Sequence, residues 1–229
     1  MSEKRDHGPL PVLLIFLTAI TGLIDAVSYL EFGNVFVANM TGNVIFFGFR
    51  LGGSGEASGA LVATTVASVF FCLGAAIGGR LPLIRRLGHR GIVLSAGTAI
   101  QACVLAVAAL LVTLLGHAPA FERRVLIPLL ATAMGWQFAI VRRIDVPGFR
   151  TVVITTALTS LVADPGQPRR QAVHKAQSIV ALLLGAMAGP LLIRNASVAA
   201  PLWVSAAMLL LIAAAGLAAA RRDGSESWG

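Results

Sequence analysis

The stretch FVANMTGNVIFFGF, residues 36–49, combines long apolar side chains with polar ones at alternate positions. Asn39, Thr41 and Asn43 carry amide and hydroxyl groups, which bind solutes through hydrogen bonds. If the segment is locally extended, alternate side chains point to the same side and form one polar surface. We therefore predict an extended piece followed by a short helix over 44–49, with all three residues in a substrate site.

The backbone of this stretch points to the same chemistry. The Gly33-Asn34 pair and Gly42 let the chain leave helical geometry at low cost, and we include Asn34 among the predicted substrate contacts. The free N–H groups at the start of a short helix favour an anion or a carbonyl group. The alternative is that these Asn and Thr side chains only join helices by hydrogen bonds.

Asp25 is the only acidic residue well inside the apolar stretch before this segment. A carboxylate at the centre of a membrane helix costs about 2.5–3.5 kcal/mol, so such acids usually have a function. Thr21 and Ser28 lie on the same helix face as Asp25. We predict that Asp25 couples solute movement to protons or cations. The alternative is a hydrated position near the membrane surface, beside Glu31.

The elements that position these residues are membrane helices. Only 12% of the 229 residues are charged, about half the share in a soluble domain. The chain has six segments of the roughly 20 apolar residues that cross about 30 Å of hydrocarbon. They cover about 10–30, 58–79, 91–115, 125–141, 172–193 and 200–220. Two shorter segments with polar residues cover about 33–49 and 147–162.

The positions of lysine and arginine favour six spans over eight. With six spans and the N-terminus inside, 14 of the 18 Lys and Arg residues lie on the cytoplasmic side. With eight spans, the division falls to about 10 against 8. Cytoplasmic loops are enriched in these residues. We therefore predict an all-α membrane protein with six transmembrane helices, two re-entrant or broken segments, and both termini in the cytoplasm.

The two halves of the chain share landmarks. Thr18-Ala19, Gly22 and Ala26 are matched by Thr132-Ala133, Gly135 and Ala139, and each half later has the motif LGAxxG, at 73–78 and 184–189. An odd number of spans per half gives the halves opposite orientations. We predict one membrane domain over 1–229 with an inverted 3+3 repeat. Repeat 1 covers about 10–116, repeat 2 about 121–221, and the polar tails cover 1–9 and 222–229.

The repeat also predicts where a solute binds. In inverted repeats the site lies near the bilayer midplane, between interrupted helices of the two halves. Here the interrupted segments are 33–49 and 147–162. The second segment carries hydroxyl groups, so we predict Thr155 and Thr156 as further substrate contacts. Gln137 stands near the position that corresponds to Asp25 and completes the predicted set.

The sequence predicts neither enzymatic chemistry nor a cofactor or metal site. It has no nucleophile elbow, no phosphate-binding loop and no histidines at metal-ligand spacing. Basic residues separate the apolar runs, which favours the lipid bilayer over nucleic acid as the partner. The glycines of the LGAxxG motifs are expected to let helices pack closely within the bundle. Oligomerisation stays open.

Two long runs resemble the YoaK-like family of bacterial inner-membrane proteins, a domain of unknown function with six predicted spans. They are TGLIDAVSYLEFGNVFVANMTGNVIFFGF and GWQFAIVRRIDVPGFRTVVITTALTSLVAD. The block at 37–43 is the specific part, and the second run departs from the family at Phe138, Thr156 and Ser160. The resemblance implies a multi-pass protein of the bacterial inner (plasma) membrane and leaves the substrate open.

Together these observations predict a small-solute secondary transporter or permease. Its substrate would bind between the two short segments, with Asp25 as the coupling group. The alternative is a non-transporting membrane scaffold or partner protein whose polar residues only join helices. A passive channel has the same sequence features as a carrier, so the sequence does not separate the two.

Overall fold

The computed structural model describes residues 8–53, 58–80, 88–116, 119–146, 154–164, 166 and 168–222. Within these ranges all regular structure is helical, and the eight main helices are numbered in chain order. They are α1 Leu10–Glu31, α2 Met40–Leu51, α3 Ser58–Arg80, α4 Arg90–Leu115, α5 Ile127–Ile144, α6 Ile154–Ala163, α7 Arg169–Asn195 and α8 Ala200–Ala220. A short turn at Pro119–Phe121 and a π-helical turn at Glu122–Leu126 lead into α5.

Six of the helices are long and apolar enough to cross a membrane, namely α1, α3, α4, α5 with the residues from Arg124, α7 and α8. Their ends lie within three residues of the predicted spans, so the prediction of six long apolar helices is confirmed for the described chain. α2 has 12 residues and α6 has 10. At 1.5 Å per residue α2 is about 18 Å long, too short to cross, and the described helix α6 is about 15 Å long.

The two short segments are described to different extents. α2 covers most of the predicted segment 33–49. Of the segment 147–162, residues 147–153 lie outside the described ranges, and α6 accounts for the remainder. The tails are described only at residues 8–9 and 222.

α1 and α7 pack with their backbones in contact. A Cβ atom added at Gly22 would lie 2.2 Å from the carbonyl oxygen of Leu182, and one at Gly185 would lie 1.9 Å from that of Ala19. Any larger residue would therefore separate the two helices. The small side chain of Ala26 meets Gly189 in the same way, one helical turn further along α1.

α3 and α5 form a second contact of the same kind. A Cβ atom at Gly74 would lie 2.1 Å from the carbonyl oxygen of Thr132, and one at Gly135 would lie 2.0 Å from that of Phe71. The glycines of both LGAxxG motifs thus pack within the bundle, as expected. Gly185 meets Ala19 as Gly74 meets Thr132, so these contacts align Ala19 with Thr132, whereas the sequence match aligned Thr18 with Thr132.

α4 and α8 complete the bundle by packing on each other and on these two pairs. A Cβ atom at Gly216 of α8 would lie 2.7 Å from Oγ of Ser95 in α4. The indole Nε1 of Trp136 in α5 donates to the carbonyl oxygen of Gly97 in α4 at 2.9 Å. The core between the helices is filled by aliphatic side chains such as Leu94 and Leu130, both fully buried.

Candidate functional site

The chain reverses direction directly after α1. Gly33 has φ of 93° and Asn34 has φ of 54°, both in the left-handed region, which glycine and asparagine adopt more readily than other residues. The reversed chain then runs beside the last turns of α1. There the ring of Phe36 stacks on that of Tyr29, with 4.9 Å between the ring centroids. Gly33 and Asn34 therefore break the helix, as predicted.

Asp25 holds the reversed chain against α1. Its Oδ1 accepts hydrogen bonds from the N–H groups of Val37 at 3.0 Å and Ala38 at 2.8 Å, and the backbone of Asn39 also interacts with the carboxylate. Asp25 lies six residues before the end of α1, about 9 Å along the helix axis. Irregular backbone at membrane depth needs such acceptors, because lipid offers none.

α2 begins immediately after this anchor. Asn39 is its N-cap residue, and Oδ1 of Asn39 accepts a hydrogen bond from the N–H group of Gly42 at 3.4 Å. The predicted extended conformation through Asn43 is therefore wrong, because the helix already begins at Met40. Asp25 accepts from N–H groups just before the helix, and Asn39 accepts from one in its first turn, which favours helical geometry from that point.

Asn43 is turned away from the other two polar side chains. It is fully buried, its Oδ1 accepts from the N–H group of Phe36 at 3.0 Å, and its Nδ2 donates to the carbonyl oxygen of Phe36 at 2.5 Å. The amide group thus fixes the loop by two bonds to one residue. In a helix, positions 41 and 43 lie about 200° apart, which explains why Thr41 and Asn43 do not share a surface.

A cavity of about 500 Å³ lies between α2 and α6, and α1, α3, α5 and α7 also border it. The first half of the chain contributes most of its polar groups. These are Thr18 and Thr21 on one face of α1, Asp25 one turn further along, and Asn39 and Thr41 at the start of α2. Both Asn39 and Thr41 are exposed to the cavity.

The second half contributes three polar groups and a larger apolar surface. Gln137 of α5, Thr155 of α6 and Ser178 of α7 border the cavity. Phe138 borders it as well and makes an edge-on contact with Phe71 of α3, with 5.3 Å between centroids and 76° between ring planes. The cavity is therefore polar near α1 and α2 and apolar near α3 and α5.

The structure brings most of the predicted site residues together. Asp25 and four of the seven predicted substrate contacts border the cavity, namely Asn39, Thr41, Thr155 and Gln137. Asn43 and Asn34 are not among its described lining residues. Asn43 lies in the loop contact, and Asn34 is exposed at the chain reversal. The side chain of Thr156 lies outside what the structure describes.

Sequence reasoning missed Ser178, Phe71 and Phe138 as cavity residues. Ser178 lies seven residues before Gly185, so it shares a helix face with the glycine that contacts α1. Phe71 lies three residues before Gly74 and shares the corresponding face of α3. The glycine motifs therefore mark the inward faces of α3 and α7. Residues one or two turns before these glycines could have been predicted as cavity residues on that basis.

Buried amide and hydroxyl groups connect three helices beside the cavity. Nε2 of Gln137 donates to Oγ1 of Thr21 at 2.8 Å, and Oε1 of Gln137 accepts from Nε2 of Gln101 at 2.7 Å. Thr21 in turn donates to the carbonyl oxygen of Leu17 at 3.0 Å. The bond between Gln137 and Thr21 joins α5 to α1, and so links the two glycine-packed pairs of helices.

The chemistry of the cavity rests on hydrogen bonds and one carboxylate. Within the described ranges, no three His, Cys, Asp or Glu side chains come together as a metal site would require. Asp25 retains hydrogen-bond capacity, because a carboxylate has about four acceptor positions. The arrangement can therefore bind a hydrogen-bond donor or a positive charge next to Asp25.

Comparison with known proteins places the chain in a family. A family model described as "Protein of unknown function (DUF1275)" matches residues 13–215. The chain belongs to this family. A relative, the UPF0700 transmembrane protein YoaK of Bacillus subtilis (strain 168), is 30% identical over 155 residues, which make up 66% of this chain. The match spans 65% of that relative's length. No solved structure matches the chain.

Membership confirms the resemblance found in the sequence at 21–49 and 135–164. The relative is described as a transmembrane protein, in agreement with the six helices of this chain that are long and apolar enough to span a membrane. The family description gives no activity. The cavity is therefore the feature of the chain that bears on its function.

Proposed function

We propose that this protein is a secondary transporter or permease for a small solute, which binds in the cavity between α2 and α6. The observation that carries the proposal is a cavity of about 500 Å³, bordered by Asp25, within a bundle of six membrane helices. Solute sites typically enclose about 300–1,000 Å³ and place a few polar groups in an apolar lining. A membrane protein that only joins partners has no need of such a space.

The glycine contacts support an inverted 3+3 repeat with two re-entrant segments. Gly22 and Gly185 join α1 to α7, and Gly135 and Gly74 join α5 to α3. Each pair combines the first span of one half with the second span of the other. A two-fold axis in the membrane plane produces this exchange, with repeat 1 over about 10–116 and repeat 2 over about 121–221.

The distribution of charge supports an orientation in the inner membrane with both termini in the cytoplasm. In this orientation 14 of the 18 Lys and Arg residues lie on the cytoplasmic side, in keeping with the positive-inside rule. The segment 33–49 then enters from the outer face and the segment 147–162 from the cytoplasmic face. Asn39 and Thr41 of the first segment and Thr155 of the second border the same cavity.

The two glycine-packed pairs are suited to act as the moving parts of a carrier. Backbone contact along α1 and α7, and along α3 and α5, fixes each pair internally. The cavity lies between the pairs, bordered by Leu182 on one side and by Phe71 and Phe138 on the other. Rocking of one pair against the other would expose the cavity to one membrane face at a time, and Asp25 would couple this movement to a proton or cation.

One observation favours the rival function, a scaffold or partner protein. Asn43 and Asp25 both bond to the loop backbone, so part of the polar signal holds the fold together. The rival predicts that substitution of cavity residues lowers stability and that no solute binds. A transporter predicts solute binding, and loss of uptake without loss of folding at positions that face the cavity.

The test begins with purified protein in detergent, screened against small solutes by thermal shift and then reconstituted into liposomes for uptake. We expect at least one solute to raise the Tm and to enter the liposomes. Thr41→Ala and Asn39→Ala should lower that uptake, whereas Asn34→Ala, outside the cavity, should not. Unchanged uptake of a validated substrate in Asn39→Ala and Asp25→Asn would show that the site is assigned incorrectly.

A further inference from the structure

The charged groups that line the cavity restrict the classes of solute that can bind there. Among the described residues that border the cavity, Asp25 is the sole charged one. Two described cations beside the short helices bond to hydroxyl groups outside the cavity lining. Arg50 donates to the hydroxyl of Thr64 and Lys175 donates to that of Ser160 at 2.8 Å. The described lining therefore offers one carboxylate and no cation to the contents of the cavity.

An anion finds few partners here. The expected anion site was the set of N–H groups at the start of the short helix, but several N–H groups at and just before the start of α2 already have acceptors within the protein. Val37 and Ala38 donate to Asp25, and Gly42 donates to Asn39. With the carboxylate of Asp25 occupying the positive end of the helix, a second anion would meet like-charge repulsion. The predicted preference for an anion is therefore not supported by the geometry of this helix start.

A bare metal cation does not suit the cavity either. Ca²⁺ requires six to eight oxygen ligands at about 2.3–2.6 Å, whereas much of the lining is apolar. Leu14, Leu17 and Val141 border the same space as the rings of Phe71 and Phe138. Such a surface binds an organic body, and aromatic faces also attract ammonium groups.

Resting on the proposed function above, we propose that the cavity selects an amphipathic organic cation, such as a primary or quaternary amine with an apolar body. The amine lies next to Asp25 and the hydroxyl of Thr21, where a charge-assisted hydrogen bond or a close ion pair forms. The apolar body lies against Phe71, Phe138 and Leu182. The same arrangement rejects carboxylates and phosphates of equal size.

Binding of matched probes to the purified protein tests the proposal. The probes are benzylammonium, benzyltrimethylammonium, benzyl alcohol and benzoate, which share a ring and differ in the head group. Isothermal titration and thermal shift should show binding of both cations, with affinity for benzyl alcohol at least about tenfold weaker and no binding of benzoate. Benzoate binding equal to or stronger than that of the cations would overturn the proposal.

Two variants locate the charge recognition. Asp25→Asn keeps an oxygen that accepts from Val37 and Ala38, so the loop stays anchored while the charge is lost. We expect at least about tenfold weaker binding of the cations. Glu31→Gln removes a carboxylate at the end of the same helix, outside the described cavity lining, and should leave binding unchanged. Equal affinity in wild type and Asp25→Asn contradicts the proposal.

If Asp25→Asn does not yield folded protein, Phe138→Leu provides the second readout. It removes an aromatic face while retaining an apolar side chain, and should weaken binding of benzyltrimethylammonium about threefold or more with little change for benzyl alcohol. Equal loss for both probes would contradict a role of the ring in recognising charge. Binding of the cations without uptake into liposomes would refute the transport function alone. Uptake of an anion instead of a cation would refute the cation selectivity alone.

Discussion

Each half of this protein has a short helix between its first two long helices, but the side chains at matching distances from the packed glycines differ. The chain before α2 is bonded to Asp25, three residues after Gly22. Three residues after Gly135, the corresponding residue is Phe138, which packs against Phe71. One half thus contributes a charge and the other an aromatic ring to the same cavity. The difference teaches that similar packing of the helices does not require similar chemistry in the site.

Near the C-terminal ends of the two short helices, both halves form a hydrogen bond between a cation and a hydroxyl group. The short helix carries the donor in one half and the acceptor in the other. Arg50 of α2 donates to Thr64 of α3, whereas Lys175 of α7 donates to Ser160 of α6. Thr64 and Lys175 each lie ten residues before the glycine of their LGAxxG motif. A cation and a hydroxyl therefore join the short helix to the following span in both halves, with donor and acceptor interchanged.

The largest effect is expected from Asp25→Ala. This change leaves the N–H groups of Val37 and Ala38 without their acceptor at membrane depth, at a cost of about 1–3 kcal/mol for each group. Unfolding of the purified protein should show a loss of about 2–6 kcal/mol, and Asp25→Asn a much smaller one. Equal stability of the two variants would mean that Asp25 does not anchor the loop. Phe138→Ala, the corresponding change in the second half, should lower stability only through the lost contact with Phe71.

A second prediction tests the equivalence of the two glycine contacts. Gly74→Ala and Gly185→Ala each place a methyl group against a backbone carbonyl, and should lower the unfolding free energy by about 1–3 kcal/mol. Because the contacts are alike, the two losses should agree within about 1 kcal/mol. Gly79→Ala in α3 is the control, since a Cβ atom there has no neighbour within 4 Å. A neutral Gly74→Ala would contradict the backbone contact.

The smallest effects are expected at the exchanged bonds. Arg50→Met and Lys175→Met remove the donor but keep much of the aliphatic side chain, so the fold should lose about 0.5–1.5 kcal/mol in each case. If both bonds stabilise the short helices equally, Arg50→Met should increase hydrogen exchange in α2, and Lys175→Met should increase it in α6. An increase in only one of the two helices would show that the two bonds are not equivalent.

The sequence predicted the spans and the polar turn because these depend on local properties. Long apolar runs define α1 to α8 apart from the two short helices, and Gly33-Asn34 marks a chain reversal wherever it lies. The position of Asn43 was not predictable in this way. Whether residues 39–43 are extended or helical depends on Asp25, which accepts hydrogen bonds from the N–H groups of residues 12 and 13 positions further along the chain. Ser178 and Phe71 reach the cavity only through the packing of separate helices.

The most direct test of the central claim is the accessibility of Thr41 to water. In protein with Cys72 and Cys103 replaced by alanine, Thr41→Cys is treated in native membrane vesicles with a membrane-impermeant thiol reagent, applied to each face in turn. A solute cavity with alternating access predicts labelling from both faces, and protection by a bound solute. Labelling from neither face, in protein that reacts fully once denatured, would contradict the account.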